Sequence, residues 1–297
     1  MNPAGKRRRG DRKDGIWLRD LDALHAFTPY LYPNRADNEA FIRDTIDLTA
    51  VEAYLERKNA SDPEMAYKLF HVILAAVVKV VTLRPKMNRF IQGNRTYQRT
   101  ELTTAFVVKK QFADEAHEAL AYLSFDETAT IDSIHAKILE EISNCRSEKM
   151  DNSTAGMDAL SKLPRFLLRF IMWILRRLDY YGRVPYFLIR TDPNYASVFF
   201  SNLGSIRLQA GYHHLCNWGT NSLFVTIGEA KMRPFFAPDG SAEMRKTVEI
   251  GLTIDERIAD GYYYSGTIQL LKYLLQNPEL LELPAGTPVE PELLKRK

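Results

Sequence analysis

The stretch TIDERIADGYYYSG, residues 253–266, lies between a β-rich run, KTVEIGLTID, and an apolar helical pattern, GTIQLLKYLLQNPELL. The run before it alternates as a strand does, and Asn277 and Pro278 mark the stop of the helix that follows. Between them stand a carboxylate pair, Asp255 and Glu256, then Arg257, and a second acid before glycine, Asp260–Gly261. Carboxylates gathered on one strand-to-helix connection are material for proton transfer. Asp260–Gly261 reads equally as a turn or a helix entry. Tyr262, Tyr263 and Tyr264 follow directly, and suit either a substrate channel or a subunit interface.

Outward from this loop the rest of the chain reads as one mixed α/β unit. ASVFFSNLGSIRL and NSLFVTIGEAKMRP are further β-rich runs. EAFIRDTIDLTAVEAYLERKN begins as a strand and turns into a helix near Ala50, with Asp47 or Thr49 as its cap. PEMAYKLFHVILAAVVKVVTLRP is a long helix, apolar on more than one face and closed by Pro85, so it belongs inside. RFIQGNRTYQRTELTTAFVVKK gives short strands around a Gly-Asn turn. The entry segment IWLRDLDALHAFTPYLYPNR reads as irregular, and TIDSIHAKILEEISNCRSEK as a polar helix leading to a Ser/Asn/Gly-containing connection. There is no internal repeat and no long linker, so residues 15–297 form a single domain.

Bulk properties bound the function classes. The chain has 297 residues, 45% hydrophobic and 26% charged, with a formal net charge of +3. That is ordinary globular composition. GKRRRGDRKDG concentrates six basic residues near the start, making residues 1–14 a basic, disordered arm. The remainder is close to neutral, which does not indicate a nucleic-acid-binding body. Cys145 and Cys216 form neither a disulfide framework nor a zinc pattern, and the expectation is a reducing, cytoplasmic setting. LPRFLLRFIMWILRRL, residues 163–178, is too short and too rich in arginine to span a bilayer. Arg165, Arg169 and Arg176 fall on one side of it, which suits a packed helix with a basic edge or a helix lying on an anionic membrane surface.

FFSNLGS, WGTNSLFVTIGEAK, GLTIDERIADG and LLKYLLQNPELLELP, in that order, resemble the catalytic domain of dihydrolipoamide acyltransferases. These are the acyl-transferring cores of 2-oxo acid dehydrogenase complexes and share a fold with chloramphenicol acetyltransferase. IRDTIDLTAVEAYLERKN and FHVILAAVVKVVTLRPKMNRF fit the same family's opening strand and helices. The likeness covers about residues 35–110 and 190–285, leaving an inserted helical segment of about 113–190. It implies a two-layer α/β sandwich of a mixed sheet and helices. It also implies a trimer, with active sites between subunits where a thioester and an acceptor enter from opposite ends.

In that family a loop Asp-His-Arg-x-x-Asp-Gly supplies a histidine base, its aspartate is held by an arginine, and a serine or threonine hydroxyl donates to the oxyanion. Carried over, Asp255, Arg257, Asp260 and Gly261 match the loop, Ser201 matches the hydroxyl, and Arg19 is the candidate partner of Asp260. Glu256 stands where the histidine belongs. A carboxylate is a weaker base than imidazole by roughly two pKa units; apolar burial narrows that gap and a paired arginine restores it. Ser201 also reads as a turn residue of SNLG. His213 and His214, in GYHHLCNWG, are candidates for a proton shuttle; in an extended chain only one of them faces a shared site.

The expected activity is a free-standing acyltransferase that takes an acyl group from coenzyme A or a carrier thioester, without a metal and without a lipoyl group on this chain. The alternative is an inactive trimeric scaffold or binding protein of the same fold. Peripheral membrane contact through residues 163–178 is a further expectation, and nucleic acid is not an expected partner.

Overall fold

The computed structural model describes residues 7–61, 65–109, 118–146, 160–190, 192–236 and 239–289. The chain enters through strand β1 (Gly15–Trp17) and helix α1 (Ala23–Leu31), which Asp22 caps by accepting the His25 N–H at 3.1 Å. The entry segment, read as irregular, is helical here despite Pro29 inside it. Strand β2 (Glu39–Asp47) passes into α2 (Thr49–Asn59), where the Asp47 carboxylate accepts both the Thr49 N–H at 2.9 Å and its hydroxyl at 2.6 Å. Helix α3 (Leu69–Leu83) is buried from His71 to Val81, as its apolar girth requires. Strands β3 (Arg89–Gln92) and β4 (Arg95–Arg99) form a hairpin whose Gly93 and Asn94 both sit at φ +57°, the left-handed pair that a two-residue turn demands.

The remaining elements are β5 (Leu102–Lys109), β6 (Glu118–Phe125), α4 (Ile131–Arg146), α5 (Arg165–Tyr180), α6 (Tyr186–Ile189), β7 (Val198–Asn202), β8 (Leu223–Ile227), β9 (Lys231–Phe236), β10 (Ala242–Asp255) and α7 (Gly261–Gln276). The main sheet runs β2-β10-β8-β7-β5-β6, with β9 beside the first half of β10. β7 is parallel to β5 and β8, and the other pairs are antiparallel. A small sheet, β1-β4-β3, stands beside it.

One face of the main sheet meets the helices. Phe200, Val225, Ile250, Leu252 and Ile254 join Ile73, Leu74 and Val77 of α3 and Leu270, Leu271 and Leu274 of α7 in a single core. Alternation sends Phe41, Phe199, Ser201, Phe224, Gly251 and Asp255 to the opposite face. The loop after β7 crosses that face: Gly211 accepts from the Thr226 hydroxyl. A Cβ on Gly251 would sit 2.7 Å from the Gly211 carbonyl oxygen, so only glycine admits the loop there.

The inserted segment differs from its reading as helical. Residues 118–125 form β6 and complete the sheet edge, while residues 113–117 and the Ser/Asn/Gly connection over 150–159 lie outside the described residues. The basic arm also differs. Residues 1–6 lie outside the described residues, but from Arg8 onward the arm is tied down. Arg12 is 3% exposed and donates to the carboxylates of Asp14 at 2.8 Å and Asp179 at 2.9 Å. Among the described residues no helix is long and apolar enough to cross a membrane.

His71 carries a pH dependence. Its ring is buried beneath His135, 4.7 Å between centroids, and its Nδ1 accepts the Lys68 N–H at 3.0 Å, which fixes the neutral form. Burial, then the positive charge on His135 and Lys68, push the imidazole down to about 4. The unfolded chain keeps a value of about 6.5, so between these limits the unfolded state binds the extra proton. Stability from this site is complete above pH 6.5 and falls as the pH drops toward 4, by about 3 kcal/mol. Urea unfolding of wild type and His71→Asn at pH 7.5 and 4.5 checks it, and the stability lost on acidification is expected to be smaller in the variant.

Candidate active site

Strand β10 delivers Asp255 to a fully buried position, where its carboxylate meets two arginines. Arg257 turns back on it through Nε at 2.8 Å and Nη2 at 2.7 Å, and Arg35 Nε lies 3.5 Å away. The guanidiniums then tie in the surrounding loops. Arg257 donates to the carbonyls of Tyr32 at 2.7 Å and Pro33 at 3.2 Å. Arg35 donates to those of Cys216, Gly219 and Ile91 at 2.8–2.9 Å. Burial, and to a lesser degree the neighbouring Arg257 charge, lowers the pKa of Arg35, and Asp255 opposes it.

Glu256 sits between these buried neighbours with its own side chain exposed. Its N–H donates to the Asn38 carbonyl at 2.9 Å, and its carbonyl accepts from the Tyr264 hydroxyl at 3.1 Å. The backbone is therefore pinned on both sides while the carboxylate stays free of Arg257, which is committed to Asp255. Among the described residues no apolar wall covers the Glu256 carboxylate.

Other sequence candidates take different places. Asp260 caps α7: its carboxylate accepts the Tyr263 N–H at 2.8 Å, and that bond holds the carboxyl below its usual range. Arg19 does not reach it. Arg19 donates to Asp11 at 3.0 Å and stacks over Trp17, while Lys86, at 3.9 Å, is the cation nearest to Asp260 in the ion pairs of the described residues. The loop match at Asp260–Gly261 therefore stands as a helix entry, and the arginine clamp belongs to Asp255.

The three tyrosines do not line one wall. Consecutive helical positions fan apart, so Tyr262 is exposed, Tyr263 packs under Arg84 at 3.8 Å, and Tyr264 turns in to the Asp255 and Glu256 carbonyls. His213 and His214 lie on the same side of their loop, not on opposite faces: the rings stack 4.7 Å apart and His213 covers Phe224 at 4.1 Å. The His213 ring donates from Nδ1 to the His214 carbonyl at 2.8 Å.

Ser201 is half-buried near the end of β7, and its hydroxyl has no partner among the described residues. It pairs with Thr226, which pairs with Gly251, four residues short of Asp255. Strand geometry thus separates Ser201 from Asp255 by about 13 Å along the sheet and about 10 Å across it. Ser201 and Glu256 do not meet within one chain. Among the described residues no cluster of three or more His, Cys, Asp or Glu is placed to hold a metal ion.

No protein-family model and no curated protein sequence matches this chain. Solved structures do. The probable dihydrolipoamide acetyltransferase of Listeria monocytogenes aligns with a TM-score of 0.59 at 14% identity, over 88% of this chain and 94% of that one. The fold is that of the chloramphenicol acetyltransferase-like acyltransferases. Chloramphenicol acetyltransferase itself gives 0.54 at 14% identity, over 89% and 98%. The dihydrolipoamide acetyltransferase of Azotobacter vinelandii, in which a serine, a histidine and an asparagine were investigated for their catalytic role, gives 0.59 at 14%, over 94% and 95%. Within this acyltransferase-like fold, sequence reasoning found Asp255, Arg257 and the strand carrying Ser201. It missed Arg35, Asn38 and the inward turn of Tyr264, none of which has a spacing signal to the loop it holds.

Proposed function

We propose that the chain is an acyltransferase, taking an acyl group from a thioester of coenzyme A or a carrier at a channel between copies of a trimer. The observation that supports it is Glu256, whose backbone is held by Asn38 and Tyr264 and whose carboxylate has no partner among the described residues, beside a buried ion cluster. One chain keeps Ser201 and Glu256 apart, so this reading requires a second copy to bring them together.

In this reading Glu256 takes the proton of the acceptor's hydroxyl, thiol or amine as it attacks the thioester carbonyl. Ser201 donates its hydroxyl hydrogen to the oxyanion that forms. Collapse expels the thiolate, which recovers the proton from Glu256. The carbon–sulfur bond breaks, the new acyl bond forms, and no other reactant is consumed.

Glu256→Gln is expected to lower turnover by about 10²–10⁴-fold and Ser201→Ala by about 10²–10³-fold, with unfolding midpoints unchanged. Thioester-release assays with acetyl-CoA and longer acyl-CoA measure both. Undiminished turnover in Glu256→Gln removes Glu256 as the base. Absence of turnover with any thioester favours the trimeric scaffold, a reading to which the exposed setting of Glu256 also lends weight.

A further inference from the structure

Helix α5 is partly covered along Leu167, Leu168, Ile171, Met172, Ile174 and Leu175 and open on its other side. It is held at its C-terminal end, where Asp179 accepts from Arg12 at 2.9 Å and Gln92 at 2.7 Å and Leu178 packs on a small apolar cluster. Along its outer side Phe166, Phe170 and Trp173 are 75%, 56% and 62% exposed, and the rings of Phe170 and Trp173 stack at 6.2 Å. At 3.6 residues per turn these three fall within about 60° of one another, in a row about 10 Å long. Arg165, Arg169 and Arg176 form a second row about 80° around the helix, and none of them is paired with a described residue. The one acid on α5 is Asp179, buried and taken by Arg12.

That same ion pair fixes where the basic arm lies. Arg12 is anchored at the foot of α5, so the exposed Arg7, Arg8 and Arg9 are carried with it. Two charge runs, far apart in sequence, are thereby joined through one buried contact.

We propose that the surface made by α5 and the basic arm docks on an anionic lipid bilayer, α5 lying in the plane of the headgroups. The aromatic row enters the acyl boundary and the arginine row meets the lipid phosphates, the arrangement that interfacial helices use. Charge decides the occupant. A second copy of this chain seated face to face would set arginine against arginine, and a hydrophilic polyanion would leave the aromatic row in water. A bilayer carrying acidic headgroups satisfies both rows at once.

The test is flotation of the full chain with vesicles of phosphatidylcholine containing phosphatidylglycerol, and with phosphatidylcholine alone, at low and high salt. Binding is expected only to the anionic vesicles and is expected to weaken at high salt. Each juxtamembrane cation adds about fivefold to partitioning, so R165Q/R169Q/R176Q is expected to lose about 100-fold and R165K/R169K/R176K to retain most of it. F166S/F170S/W173S is expected to lose about tenfold or more while keeping the same mass in solution. No flotation with anionic vesicles at low salt overturns the proposal. So does undiminished binding of the aromatic variant, which marks a purely electrostatic polyanion site, or a drop in its assembly mass, which assigns the row to a second copy.

Discussion

Asp255→Asn is expected to cost about 3–5 kcal/mol, the loss typical of removing one charge from a buried ion cluster. The amide keeps most of the shape and can still accept from Arg257. It cannot neutralise Arg257 and Arg35, whose side chains are 1% and 3% exposed. These guanidiniums bind the Tyr32–Pro33, Ile91 and Cys216–Gly219 segments, so the loss spreads through every loop around Glu256. Turnover should fall alongside stability in this variant, whereas Glu256→Gln loses turnover alone. Urea midpoints measured on both variants separate the two roles, and a wild-type midpoint for Asp255→Asn contradicts the clamp.

Arg12→Leu is expected to cost about 3 kcal/mol for the same reason applied to a second cluster. It leaves Asp179, 2% exposed, with the neutral Gln92 amide and the Tyr195 phenol against its carboxylate and no cation. Burial already raises the pKa of Asp179, with Arg12 opposing it. Without that guanidinium the folded state takes up a proton that the unfolded state releases, so the deficit grows as pH rises and shrinks as it falls. Unfolding at pH 5 and pH 8 shows the sign directly. The arm and α5 should come free before the main sheet does, detectable as early tryptic cleavage at the α5 arginines. A deficit against wild type that is the same at both pH values contradicts a charged Asp179 in this contact.

What the sequence made legible follows the range of its signals. The passage from β2 to α2, the buried α3, the Gly93–Asn94 hairpin and the β10-to-α7 passage all carry local periods or turn residues, and each formed near its expected place. β6 was hidden because EALAYLSF is a short apolar run, which periodicity does not distinguish from a helix segment. α1 was hidden by Pro29.

The candidate site divides in the same way. Asp255 and Arg257 are two residues apart and visible as a pair, while Arg35 joins them from 220 positions upstream with no repeat to announce it. Arg12 and Asp179, 167 apart, are equally silent. The family likeness supplied Ser201 and the loop, and it misassigned the clamp: the arginine partner expected at Asp260 is found at Asp255. In SNLG the half-buried Ser201 lies at the end of β7, and its hydroxyl has no partner among the described residues.

An acyl thioester is the proposed occupant of the proposed intersubunit channel. Titration calorimetry of the full chain with coenzyme A, acetyl-CoA and a longer acyl-CoA, with the assembly mass followed by light scattering, tests it most directly. Saturable binding of at least one acyl-CoA to a trimer is expected; no heat of binding with any of the three, from a protein that is nonetheless trimeric, would overturn the acyltransferase reading.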